Sequence, residues 1–73
     1  MNTVINIKDR EQVKKISEVA SRAPYPVWVS DGAVMLDARS LLGLFALIGH
    51  RARVVAGDHV NPKIFSKLVE QMQ

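Results

Sequence analysis

A tight turn at Ser30-Asp31-Gly32 constrains the fold of this chain more than any other segment. Glycine readily takes the positive φ that short hairpin turns require, and Ser and Asp are common beside it. The flanking positions, 27–29 and 34–37, are mostly apolar, as in two short strands. Two strands joined by so short a connection run antiparallel. The sequence therefore predicts a β-hairpin, around which the other elements must pack.

Two further segments have the pattern of strands. Over positions 3–8, Thr3, Ile5 and Ile7 alternate with the residues between them, so that they share one side. Positions 51–56 predict another strand, with Arg51 and Arg53 on the same face. Together with the hairpin, these segments predict four strands.

The first helix is expected to begin after Asp9 and to end before Pro24. Asp9 is a favourable N-cap, and Gln12, three residues later, completes a capping box. Pro24 and Pro26 stop the helix. The apolar stripe of this helix consists of Val13, Ile16, Ala20 and Ala23.

Two more helices have clear start signals. Ser40 is the expected N-cap of a helix over positions 41–48, which Gly49 ends. Asn61 caps the last helix, with Pro62 at its first position. The apolar face of this last helix is formed by Ile64, Phe65, Leu68, Val69 and Met72.

The resulting order is β-α-β-β-α-β-α, in a single domain over residues 1–73. A chain of this length buries only ~60% of the surface that its unfolded form exposes, which leaves little material for a deep cleft. Because amphipathic helices need apolar cover, all three are expected on one face of the four-stranded sheet. The predicted fold class is α+β.

The chain has no residue set typical of an enzyme. Its serines have no histidine or lysine partner at motif spacing, its glycines are scattered, and its carboxylates do not pair. There is no cysteine, and His50 and His59 have no ligand cluster beside them, so neither a metal nor another cofactor is expected. The sequence shows no signal peptide and no membrane span. We expect a cytoplasmic protein that is not an enzyme.

The charge balance is mildly basic, with a formal net charge of +3. Only Arg51 and Arg53 lie close together on one strand face. Nucleic-acid-binding domains usually concentrate basic residues and place aromatic residues among them. Because this chain has few aromatic residues, nucleic acid is the least favoured partner.

The helix over positions 41–48 is apolar nearly all round. Leu44, Leu47 and Ile48 share the side that can pack on the sheet. A second apolar side consists of Leu41, Leu42 and Phe45. Exposed apolar patches of this kind usually mark a partner surface. The alternative is that a neighbouring helix or loop covers them.

Ser40 has two possible roles at the start of this helix. As an N-cap, a serine contributes ~1 kcal/mol to stability. The same position would tolerate a phosphate, because backbone N–H groups and the helix dipole favour negative charge there. Position alone leaves both roles open.

The segment around Ser40 resembles HPr, the small phosphocarrier protein of the bacterial sugar phosphotransferase system. Arg39-Ser40-Leu41-Leu42-Gly43 is similar to the family's pattern of a basic residue, serine, two aliphatic residues and glycine around its regulatory serine. The resemblance covers nearly the whole chain and implies an open-faced β-sandwich. It implies that HPr kinase phosphorylates Ser40. It also implies that Arg39 and the apolar residues Leu41, Leu42 and Phe45 face Enzyme I, sugar-specific EIIA proteins and the kinase.

The start of the first helix departs from that family. HPr carries its phosphoryl group on a histidine there, in a Gly-Ile/Leu-His-x-Arg-Pro motif. The junction in this chain reads Ile7-Lys8-Asp9-Arg10-Glu11-Gln12, with Asp9 near the place of the histidine. Neither His50 nor His59 belongs to that segment. Phosphocarrier chemistry on histidine is therefore not expected.

We interpret the chain as an HPr-like regulatory module that binds proteins, with phosphotransferase-system proteins, HPr kinase or a transcription regulator as the expected partners. Two alternatives stay open. The chain could be a true phosphocarrier with an atypical acceptor such as Asp9. It could also bind nucleic acid weakly through Arg51 and Arg53.

Overall fold

Four strands form one sheet in the structure, a computed structural model that describes residues 1–73. The strands are β1 (Asn2–Asn6), β2 (Val27–Ser30), β3 (Met35–Asp37) and β4 (Arg51–Ala56). Their order across the sheet is β1-β4-β2-β3, and every pairing is antiparallel. The long strand β4 therefore lies between β1 and β2, and the predicted hairpin of β2 and β3 is confirmed.

The three helices are α1 (Arg10–Arg22), α2 (Leu41–Phe45) and α3 (Pro62–Met72). Each begins at the N-cap that the sequence predicts, since Asp9, Ser40 and Asn61 all accept a hydrogen bond from the first turn. No helix combines the length and the hydropathy of a transmembrane segment.

The helices cover one face of the sheet and leave the other open. In β4, Ala52, Val54 and Ala56 are buried, whereas Arg51 and Arg53 are exposed on the opposite side. The helix α1 packs against both α2 and α3. The predicted α+β fold, an open-faced β-sandwich with the order β-α-β-β-α-β-α, is confirmed.

The second helix is shorter than the sequence predicts. The pattern predicts residues 41–48, but the α-helix ends at Phe45. Beyond this point, hydrogen bonds span three residues instead of four, which is the spacing of a 3₁₀ turn. The chain is drawn out of the helix because the Gly49 N–H donates to the Ile7 carbonyl (2.7 Å), next to the end of β1. Gly49 makes this change of direction with a φ of +90°.

The hairpin connection is longer than a tight turn. Ser30 pairs with Met35, so the connection comprises residues 31–34. The Asp31 carboxylate accepts the N–H groups of Ala33 and Val34, both at 2.9 Å, and stabilises this loop. Gly32 has the positive φ, +100°, that the sequence predicts.

The apolar face of α3 is narrower than expected. Phe65, Leu68, Val69 and Met72 are buried, but Ile64 is 55% exposed. A helix on a sheet buries only the stripe that faces the sheet and its neighbours, and Ile64 lies at the edge of that stripe.

Candidate functional site

The two apolar sides of α2 have opposite environments. Leu44 is fully buried and Leu47 is 6% exposed. On the other side, Leu41 is 42% exposed, Leu42 86% and Phe45 37%. These three residues are called the apolar patch below. The predicted difference in exposure is confirmed for Leu44 and Leu47, whereas Ile48, expected on the buried side, is only partly buried. Leu42 is largely open to solvent, and Leu41 and Phe45 are partly covered.

Ser40 stands at the edge of the apolar patch and is exposed. Its Oγ accepts the Gly43 N–H at 3.4 Å, and its carbonyl accepts the Leu44 N–H at 3.0 Å. The cap bond is therefore long for a hydrogen bond, and the helix that it starts has only five residues. The hydroxyl remains open to solvent on its outer side.

Arg39, predicted to face a partner, is held by a carboxylate of its own chain. Its Nη2 lies 2.7 Å from Asp37 Oδ2, its Nε donates to Asp37 Oδ1 at 3.0 Å, and its N–H donates to the same oxygen. These hydrogen bonds lower the pKa of Asp37 to about 2 and raise the pKa of Arg39. The pair is solvent-exposed, so the guanidinium can be approached but is already paired.

Two cations of α1 extend the apolar patch, and the sequence interpretation did not include them. Arg10 and Lys14 line an open depression together with Phe45 and Ile48. Neither cation has a carboxylate within salt-bridge distance. Their four-residue spacing indicates that both lie on one face of α1. Only the packing of α1 on α2 shows that this face lies beside Phe45.

The start of α1 is a closed set of hydrogen bonds. Asp9 Oδ1 accepts the Gln12 N–H at 2.9 Å. Gln12 is 7% exposed, and its side chain accepts the Lys8 N–H (2.8 Å) and donates to the Asn6 carbonyl (2.7 Å). The predicted capping box is therefore half correct, because Gln12 bonds the N–H before Asp9 and not that of Asp9 itself. The side chains here are polar, and none is a histidine.

Neither histidine completes a site. The His50 carbonyl accepts the Ile7 N–H at 3.0 Å, so the fold brings the His50 backbone beside the segment that leads into α1. The His50 imidazole is exposed. Hydrogen bonds from the Val34 and Ala33 N–H groups lower the pKa of Asp31, and the nearby His50 adds a smaller effect. His59 is exposed beside Gly57. No three His, Asp or Glu side chains form a group that could hold a metal ion.

Comparisons with known proteins identify the fold. No protein-family model and no curated protein matches the chain. The structure is similar to the crystal structure of HPr-C-His from Thermoanaerobacter tengcongensis, with a TM-score of 0.74. The similarity covers 99% of this chain and 90% of that one, at 19% sequence identity. It shows that the chain has the HPr fold.

Proposed function

We propose that the chain is an HPr-like regulatory module that binds proteins and does not carry phosphate on histidine. The observation that supports this most is the exposed apolar patch, next to a start of α1 that contains no histidine. A phosphocarrier needs a nucleophile that accepts and releases a phosphoryl group at this place. The chain offers a docking surface there without that nucleophile, which suits a binding role in the bacterial cytoplasm and not an enzyme.

The chemistry of the surface indicates the kind of partner. Its apolar centre needs an apolar partner surface, and the unpaired Arg10 and Lys14 at its rim favour carboxylates opposite them. Proteins of the phosphotransferase system, HPr kinase and a transcription regulator are the proposed partners, because the fold is that of HPr.

Phosphorylation of Ser40 is the proposed regulation. The γ-phosphoryl group of ATP would be transferred to Ser40 Oγ, with loss of the hydroxyl proton and release of ADP. The product would add about −1.5 to −2 charges at the edge of the apolar patch. A partner docking on Leu41 and Phe45 would have to pair or desolvate this phosphate, so its affinity would change.

The alternative function is phosphocarrier activity with Asp9 as the acceptor. The exposed position of Asp9 at the start of a 13-residue helix supports it. However, Asp9 Oδ1 already serves as the helix cap, and transfer of phosphate to this carboxylate would compete with the bond from Gln12. We therefore favour the regulatory role.

Two incubations test the proposal. With Enzyme I and phosphoenolpyruvate, we expect no labelled protein, with an ordinary HPr as the positive control. An acid-labile, base-stable label would be a phosphohistidine and would overturn the proposal. A label that base releases, as well as hydroxylamine, would be an acyl phosphate and would support the alternative at Asp9.

With HPr kinase and ATP, we expect a single phosphate that Ser40→Ala abolishes. Leu42→Ala should reduce this modification, because Leu42 is the most exposed residue of the apolar patch. Ile64→Ala is the matched control, since Ile64 is also exposed but lies on α3. Equal loss in both variants, or no modification of the folded wild type, would contradict the proposed regulation.

A further inference from the structure

The open face of the sheet combines an aromatic side chain with two unpaired arginines. Val27 and Val29 of β2 are buried towards the helices, so Trp28 between them belongs to the opposite, open face. Trp28 is in register with Val55 of β4, and two residues along the strands Ser30 is in register with Arg53.

Cross-strand neighbours on one face lie within reach of long side chains, including diagonal pairs. On β4, Arg53 is therefore the diagonal neighbour of Trp28, and Arg51 follows ~6.7 Å further along the strand. Val4 of β1, opposite Arg53, is 39% exposed. The open face thus has Trp28 at one end, between Val55 and Asp37, and the arginines Arg53 and Arg51 towards the other end.

The charged side chains of this face are mostly positive, and its two arginines form no salt bridge within the chain. Neither Arg51 nor Arg53 has a carboxylate within salt-bridge distance, and Arg53 Nη1 donates only to the Asn2 side chain, at 2.9 Å. One acidic residue of the face, Asp37, is neutralised by Arg39 outside it. The other nearby carboxylate is that of Asp31, which lies with both arginines beside a shallow depression at the end of the face.

We propose that the open face binds single-stranded nucleic acid, with a base stacked on Trp28 and backbone phosphates on Arg51 and Arg53. Proteins that bind single strands without sequence preference combine these two features, a basic track for the backbone and an aromatic platform for the bases. This proposal is independent of the apolar patch, which lies on α2 at the other side of the molecule.

Other occupants fit the charges less well. A second copy of the chain docked by a two-fold axis on this face would bring the arginines of both copies together, which is destabilising. An acidic peptide would pair the arginines but would not use the aromatic ring for stacking. A single strand uses both ends of the face.

Intrinsic fluorescence provides a direct test because Trp28 is the only tryptophan. A short oligouridylate, labelled at one end for anisotropy, is titrated with the wild-type protein at physiological salt. We expect binding in the ~10⁻⁴–10⁻⁶ M range of sequence-independent complexes, together with quenching of the Trp28 emission. Binding without quenching would overturn the proposed stacking.

Two double variants that remove the same charge test whether the nucleic acid binds at Arg51 and Arg53. The double variant Arg51→Gln, Arg53→Gln should bind at least ~10-fold more weakly and lose most of the salt dependence, which is about −0.7 per phosphate contact on a logarithmic scale. The control is Lys63→Gln with Lys67→Gln, which removes the same charge from the exposed side of α3. Equal weakening by both double variants would show only a general charge effect and would overturn the proposal.

Three further outcomes would also overturn it. These are stronger binding to duplex than to the single strand, equal quenching by poly-glutamate, and a concentration-dependent dimer that the Arg51→Gln, Arg53→Gln variant alters. A Trp28→Phe variant tests position 28 as the stacking surface while keeping an aromatic ring there. This variant should retain binding by anisotropy while losing the fluorescence signal.

Discussion

The starts of α1 and α2 are built in different ways. At α1, Asp9 caps a helix of 13 residues, and the buried Gln12 ties the first turn to two backbone groups before it. At α2, Ser40 makes one long cap bond to a helix of five residues. In the first case polar side chains bond to backbone groups, whereas in the second the apolar residues beyond the cap face solvent.

This difference shows where each helix obtains its stability. Hydrogen bonds fix the start of α1 and occupy the side chains of Asp9 and Gln12 there. The position of α2 depends on burial of Leu44 and Leu47 beneath it, which leaves the cap and the apolar patch free for other contacts. A partner can therefore bind α2 without breaking what holds the helix in place.

The largest expected effect concerns the two sides of α2. Leu44→Ala should destabilise the protein by about 2–5 kcal/mol, because Leu44 is fully buried and its truncation leaves a cavity. Leu42→Ala should change stability by less than about 0.5 kcal/mol, since Leu42 is 86% exposed. Urea unfolding of both variants measures the difference. Similar losses in the two variants would mean that the apolar patch is structural.

The next largest effect is expected at the start of α1. Gln12→Ala should cost about 1–3 kcal/mol, because the Lys8 N–H and the Asn6 carbonyl lose their partner in a largely buried place. Chemical denaturation is again the measurement. As a control, Glu11→Ala changes the exposed neighbouring side chain and should have little effect. A Gln12 variant as stable as wild type would remove the contrast between the two helix starts.

Substitutions of Ser40 should have smaller effects. Ser40→Ala should cost about 0.5–1 kcal/mol, near the lower end for N-caps because the bond is long and exposed. Ser40→Asp should stay within about 0.5 kcal/mol of wild type, since Asp also caps and suits the helix dipole. If Ser40→Asp lowers the affinity for a partner at unchanged stability, the regulatory role gains support. Unchanged affinity would leave only the capping role.

The smallest expected effect is a pH dependence from Asp37. Its folded-state pKa of about 2 lies below the ordinary value of 3.8, so its carboxylate stabilises the fold above the ordinary pKa. This contribution is lost as the pH falls from about 4 towards 2. The urea midpoint of Asp37→Asn should lie below that of wild type near neutral pH and approach it in acid. If the two urea midpoints differ by the same amount at every pH, the contact with Arg39 does not depend on charge.

Much of the fold follows from local signals. The alternation of residues 51–56 predicts β4 with its observed bounds, and the three N-caps are correctly placed because capping needs only neighbouring residues. The end of α2 could not be predicted, since the bond from Gly49 to Ile7 depends on distant parts of the chain. The role of Gln12 was only half predicted, because its bonds to Lys8 and Asn6 depend on how the chain turns into the helix.

The candidate binding surfaces are also only partly predictable from the sequence. The exposure of Leu41, Leu42 and Phe45 follows from a helix with more apolar residues than one buried stripe can hold. In contrast, Arg10 and Lys14 meet Phe45 only through helix packing. From the sequence, nucleic acid is the least favoured partner because basic residues are spread along the chain and aromatic residues are few. Sheet pairing brings Trp28 next to Arg53, and this neighbourhood depends on strand order.

The pairing of β1 with β4 has a consequence for folding. Residues 2–6 pair with residues 51–55, so the first strand finds its partner only after most of the chain is available. Contacts between such distant segments form late, because closing a long loop costs entropy before the contacts stabilise it. During synthesis, β1 has no strand to pair with until β4 emerges, so Ile5 and Ile7 lack the neighbours that bury them in the fold. The growing chain is therefore most open to aggregation or to chaperone binding at its amino-terminal strand.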